Sequence, residues 1–68
     1  SRAAHMPLAH IYLIEGRSEE AKRAVIDKVT QALHEALGAP KENVRVVIQD
    51  IPKANWGIGG NSAKDLGR

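Results

Sequence analysis

Leu8-Ala9-His10-Ile11-Tyr12-Leu13-Ile14 runs into Glu15-Gly16-Arg17-Ser18 and then Glu19-Glu20, and this passage decides the fold class. Its first seven residues are mostly apolar at both alternating positions, which predicts a short strand covered on two sides. Glu15-Gly16 stops it. Ser18 is placed to cap a helix, and Glu19 and Glu20 bring negative charge to the first turn, where the helix dipole favours it. Val25, Val29, Ala32, Leu33, Ala36 and Leu37 recur at helical spacing and carry the helix to about Leu37, with Glu20, Arg23, Asp27, Gln31 and Glu35 largely on the other side. Glu19 and Arg23 add an i,i+4 pair. Gly38 follows as the helix-ending residue, and Pro40 prevents continuation.

Beyond the helix, Val44-Arg45-Val46-Val47-Ile48-Gln49 reads as a second strand, with Val44, Val46 and Ile48 on one face and Arg45, Val47 and Gln49 on the other. A strand, a helical crossover and a strand imply a parallel pair with a right-handed connection. Two strands do not make a stable sheet alone, so their open edges predict pairing with another subunit. Trp56-Gly57-Ile58-Gly59-Gly60-Asn61 carries turn chemistry around one large ring and predicts a short loop or hairpin. The sequence contains no internal repeat.

The chain has 68 residues, no Cys and a formal net charge of +2 that includes Arg2. Ser1-Arg2-Ala3-Ala4-His5 has no apolar period and reads as a cloning remnant, with Met6 as the initiator and residues 7–68 as one small domain. So short a chain encloses little apolar surface by itself, a second reason to expect an oligomer. The slight basic excess argues against a nucleic-acid surface, and no apolar run is long enough for a bilayer. A cytoplasmic protein is expected, since nothing in it requires an oxidising compartment. Loss of Met6 exposes Pro7 as an N-terminal secondary amine that exchanges protons near neutral pH. With a peptide upstream, the same nitrogen is a tertiary amide without a basic lone pair.

The order Pro7, Glu15-Gly16-Arg17-Ser18, one helix, Ala39-Pro40, Val44-Arg45-Val46 and Trp56-Gly57-Ile58-Gly59-Gly60 closely resembles the 4-oxalocrotonate (2-hydroxymuconate) tautomerase family. Each motif is weak alone; their joint spacing is specific. The resemblance implies an α+β fold, a β-α-β unit with a C-terminal hairpin, assembled as a homohexamer that is a trimer of dimers. It implies a cofactor-free, metal-free isomerase of aromatic-compound catabolism that converts a dicarboxylate dienol to its conjugated ketone. In that family the N-terminal proline is the base, a role that falls on Pro7, and desolvation with nearby cations keeps such an amine neutral. Arg17 matches the arginine that holds the distal carboxylate. Arg45 matches the one, contributed by a neighbouring subunit, that contacts the other carboxylate and the 2-oxygen. Trp56 stands where the family usually has Phe, as the apolar wall, and the backbone N–H of Ile14 is the remaining contact to the substrate oxygen. Relatives that hydrate or dehalogenate acrylates carry an additional arginine at the place of Ile14 and a glutamate at the place of Ile58; both are apolar here, which favours proton transfer.

Each of these residues also has an ordinary reading. Pro7 suits a strand start, Arg17 a solvated charge, Arg45 an edge guard against aggregation, and Trp56 an interface plug. Gly57-Ile58-Gly59-Gly60 lacks the setting of a phosphate loop. His10 and His34 lack metal-site spacing, and Lys22, Arg23 and Lys28, interleaved with acids, read as a solvated helix face. Two alternatives stand beside the leading expectation: a tautomerase of another pathway acting on a different enol, and a non-catalytic assembly module. With residues 1–6 attached, the chain is expected to be inactive.

Overall fold

A computed structural model describes residues 6–68, so the expected remnant Ser1–His5 lies outside the described residues. Strand β1, Leu8–Ile14, is followed by helix α1, Glu19–Leu37, and strand β2, Arg45–Ile51. Short strands β3, Gly57–Ile58, and β4, Asn61–Ser62, close the chain, and 3-10 turns at Lys41–Asn43 and Lys53–Asn55 flank β2. β1 and β2 pair in parallel from Leu8 opposite Arg45 to Ile14 opposite Ile51. The architecture is the expected β-α-β unit with a C-terminal hairpin.

The helix begins and ends as its sequence dictates. Ser18 Oγ accepts the N–H of Ala21 at 3.1 Å, and Gly38, at φ 71°, donates its N–H to the carbonyl of His34. His34 reinforces that end: its Nδ1 lies 2.6 Å from the carbonyl oxygen of Ala39, which only accepts, so Nδ1 carries the proton. Replacing Ser18 by Ala orphans one helix N–H and should destabilise the fold by about 1 kcal/mol, read by urea unfolding at fixed chain concentration. Gly59 and Gly60 both have positive φ, 61° and 93°. That pair is the left-handed turn that matches strand twist, which is why a two-residue loop joins β3 to β4.

Three expectations are corrected. The second strand starts at Arg45 rather than Val44 and runs past Gln49 to Ile51. Val44 is held by the preceding turn, its N–H donating to Lys41, while Leu13 and Ile14 supply partners for Asp50 and Ile51 until Pro52 ends the ladder. The helix face is narrower than its pattern, because Ala32, Ala36 and Leu37 are exposed and Gln31, placed outside, is half-buried beside Glu35. Lys22 is not merely a solvated charge: its Nζ lies 2.7 Å from Asp50 Oδ2, in a partly exposed pair that ties α1 to the end of β2. The Glu19–Arg23 pair does form, at 3.5 Å and exposed.

Among the described residues, the sheet is covered on one face only. Ala9, Ile11, Leu13, Val46 and Ile48 are half-buried on the α1 side, the face from which Asp50 reaches Lys22. Leu8, His10, Tyr12, Arg45, Val47 and Gln49 form the other face, where Leu8 is 63% and Tyr12 54% exposed. His10 stacks on Tyr12 and bonds Gln49 there. The buried residues of the described chain are Ala39, Val44 and Ala63, all small. One copy thus leaves several large apolar side chains in water, Leu8, Tyr12 and Val47 among them on the sheet. No helix among the described residues is long and apolar enough to cross a membrane.

Candidate active site

The parallel strands sort the candidate residues into two groups. Pro7 directly precedes β1, and its carbonyl accepts the backbone N–H of Arg45 at 2.9 Å, so these two stand side by side where both strands begin. Ile14 ends β1, Arg17 lies in the turn beyond it, and Trp56 follows the turn that leaves β2. These three belong to the opposite end. The seven residues of β1 separate the groups by about 20 Å. Among the described residues of one chain there is no pocket that holds both.

At the first end, Pro7 is half-buried and Arg45 exposed. The Arg45 guanidinium rests on backbone carbonyls, donating from Nη1 to Glu42 at 2.7 Å and, more weakly, to Val44 at 3.4 Å. No carboxylate neutralises it among the described residues, so its charge is available to an anion. Pro7's own nitrogen is in peptide linkage to Met6.

At the second end, the N–H of Glu15 donates to Ile51 across the sheet. Backbone groups alternate along a strand, so the N–H of Ile14 points away from β2, to the open edge. Arg17 is exposed and without an ion-pair partner among the described residues. Gly16, at φ 116°, turns the chain out of β1 to present it. Trp56 is half-buried; its N–H donates to Lys53 and its carbonyl accepts from the buried Ala63 at 2.7 Å. This end of the sheet thus carries an outward N–H, a guanidinium without an ion-pair partner among the described residues and a large ring, groups of the kinds that bind a planar anion and shield it from water. Ile58 lies half-buried in β3.

In sequence Glu15 reads as a strand stop and as part of the Glu15-Gly16-Arg17-Ser18 motif, with no role of its own at the site. Its Oε2 accepts the backbone N–H of Lys53 at 2.9 Å, across 38 positions. No local pattern signals a contact of that span.

The family model described as Tautomerase enzyme matches residues 7–66. The 2-hydroxymuconate tautomerase of Comamonas testosteroni is 70% identical over 63 residues, 93% of this chain and 100% of that protein. Among solved structures, one from a study of the 4-oxalocrotonate tautomerase isozymes of Methylibium petroleiphilum superposes with a TM-score of 0.89 at 77% identity, covering 91% of this chain and 100% of that one. A heterohexamer 4-oxalocrotonate tautomerase from Chloroflexus aurantiacus gives a TM-score of 0.86 at 36% identity, covering 90% and 98%.

Proposed function

The chain belongs to the tautomerase family and is an isomerase, and from that premise we propose that it ketonises a dicarboxylate dienol such as 2-hydroxymuconate, with Pro7 as base once Pro7 is N-terminal. The observation that carries this reading is a strand-start proline, with one guanidinium at its own end of the sheet and a second at the other, neither ion-paired among the described residues, in a chain so similar to 2-hydroxymuconate tautomerases. The dienol hydroxyl gives its proton to the Pro7 nitrogen and a carbon of the diene takes one up, so the product is an isomer and no electrons leave the substrate. Arg17 grips the distal carboxylate and draws density toward it. Arg45, from a neighbouring chain, engages the other carboxylate and the 2-oxygen. The Ile14 N–H meets that oxygen and Trp56 keeps the site dry. No metal or organic cofactor takes part, and the reaction belongs to cytoplasmic breakdown of aromatic compounds.

Because the two groups of residues lie at opposite ends of one chain, the working site is assembled between copies. The uncovered sheet face supplies the means: Leu8, Tyr12 and Val47 are apolar surface without cover in one copy. A homo-oligomer, as a hexamer built from three dimers, buries that face and brings a Pro7 to another chain's Arg17 and Trp56 and to the Arg45 of a neighbouring chain, a guanidinium that in its own chain rests on the Glu42 carbonyl. Tyr12→Asp places a charge on it and is expected to shift the sedimentation coefficient from the oligomer to dissociated species, while a fully assembled variant would contradict this interface.

The test of the reaction is the ultraviolet progress curve for ketonisation of 2-hydroxymuconate by a chain that begins at Pro7. Turnover supports the proposal. An assembled preparation that is silent on this dienol yet active on another enol points to a tautomerase of a different pathway, and silence on every dicarboxylate enol points to an assembly module.

A further inference from the structure

Glu15 joins two segments far apart in sequence. Its N–H donates to Ile51 at 2.9 Å, and its carboxylate accepts the Lys53 N–H, also at 2.9 Å. Lys53 in turn accepts the N–H of Trp56 on its carbonyl, at 3.3 Å. One peptide unit therefore stands against Glu15 on its amide side, and its neighbour carries Trp56. Arg17 is two residues from Glu15, separated by Gly16, whose φ of 116° sets the direction of the turn. The Glu15 carboxylate pairs with no cation among the described residues. Placed next to a guanidinium expected to bind an anion, its negative charge is a disadvantage, so the hydrogen bond is what recommends an acceptor at this position.

We propose that Glu15 is a positioning residue for dicarboxylate recognition: by holding the Lys53–Trp56 segment to the Arg17 turn, it fixes the separation between the guanidinium and the apolar wall. This rests on the reading above, in which Arg17 binds the distal carboxylate and Trp56 walls the site.

The experiment uses chains beginning at Pro7 and 2-hydroxymuconate as the probe. Glu15→Ala is expected to lower kcat/KM about tenfold, the loss of one hydrogen bond to a charged acceptor. Glu15→Gln keeps an acceptor oxygen without the charge and is expected to match or exceed the parent. In an Arg17→Ala background, Glu15→Ala should add little, because both changes remove the same interaction. Lys53→Pro deletes the donor from the other side; Pro52 has ψ 143°, a conformation compatible with a following proline. Compared with Lys53→Ala, it should reproduce the Glu15→Ala loss, and it carries the test if Glu15→Ala does not fold. Parent-like kinetics in Glu15→Ala, effects that multiply with Arg17→Ala, or a Glu15→Gln as impaired as Glu15→Ala would each overturn the positioning role while leaving the tautomerase reading intact. An Arg17→Ala variant with unchanged kinetics overturns the positioning role together with the assignment of Arg17, and a parent that turns over no dicarboxylate enol overturns the tautomerase reading as well.

Discussion

A chain beginning at Pro7 is expected to ketonise 2-hydroxymuconate roughly 10²–10⁴-fold faster than the chain in which residues 1–6 precede it, the range that a positioned general base contributes. The reason is covalent. In peptide linkage to Met6 the Pro7 nitrogen has its lone pair delocalised into the amide and has no proton to exchange. Folding does not depend on that nitrogen, since it is the Pro7 carbonyl that receives the Arg45 N–H and anchors the start of β1. The two chains should therefore show the same far-ultraviolet circular dichroism and differ in turnover. The free amine acts unprotonated, so kcat/KM of the shorter chain falls as pH drops through the amine's pKa, and the extended chain shows no such limb. Full activity from a preparation whose mass retains residues 1–6 would remove Pro7 nitrogen from the mechanism.

Replacing Arg45 with Ala is expected to lower kcat about 10²–10³-fold, as loss of a preorganised electrophilic donor does, and to weaken binding of the dicarboxylate. The guanidinium is held by two carbonyls, which orient it without cancelling its charge. Its main-chain bond to Pro7 survives any replacement except proline, so the fold and the assembled mass should be unchanged. Arg45→Lys should recover only part of the loss, because an ammonium cannot reproduce the planar two-point contact with a carboxylate and its adjacent oxygen. Unchanged kinetics in Arg45→Ala would exclude it from the site.

Where local rules suffice, the chain is legible. Leu8–Ile14 and Glu19–Leu37 match their expected bounds because the alternation, the Ser18 cap and the Gly38 terminus are all encoded within a few residues. The hairpin follows from Gly59-Gly60 for the same reason. Features that depend on partners are harder to read. Lys22 looks solvated until Asp50 is brought to it by the parallel register, and β2 outlasts its apolar pattern because Leu13 and Ile14 give Asp50 and Ile51 something to pair with. The strand pattern of β1 predicts cover on two faces, and one copy provides cover on one. That mismatch is informative: the second face is written for another chain. At the site, residue types and order are visible through the family resemblance, whereas their distribution to opposite ends is a consequence of parallel pairing that no single motif contains. Glu15 illustrates the limit, since its role depends on Lys53 arriving from the far side of α1 and β2.

The central claim, that one chain's Pro7 works with another chain's Arg17 and Trp56, is tested most directly by complementation. A chain with residues 1–6 attached supplies Arg17 but no base; a chain beginning at Pro7 and carrying Arg17→Ala supplies the base but no distal grip. Each is expected to be nearly silent alone on 2-hydroxymuconate. Unfolded together, refolded and shown by native mass to contain both chains, they are expected to regain turnover, because some sites then combine a free Pro7 with an intact Arg17. Mixed assemblies no more active than the separate chains would contradict a site shared between copies.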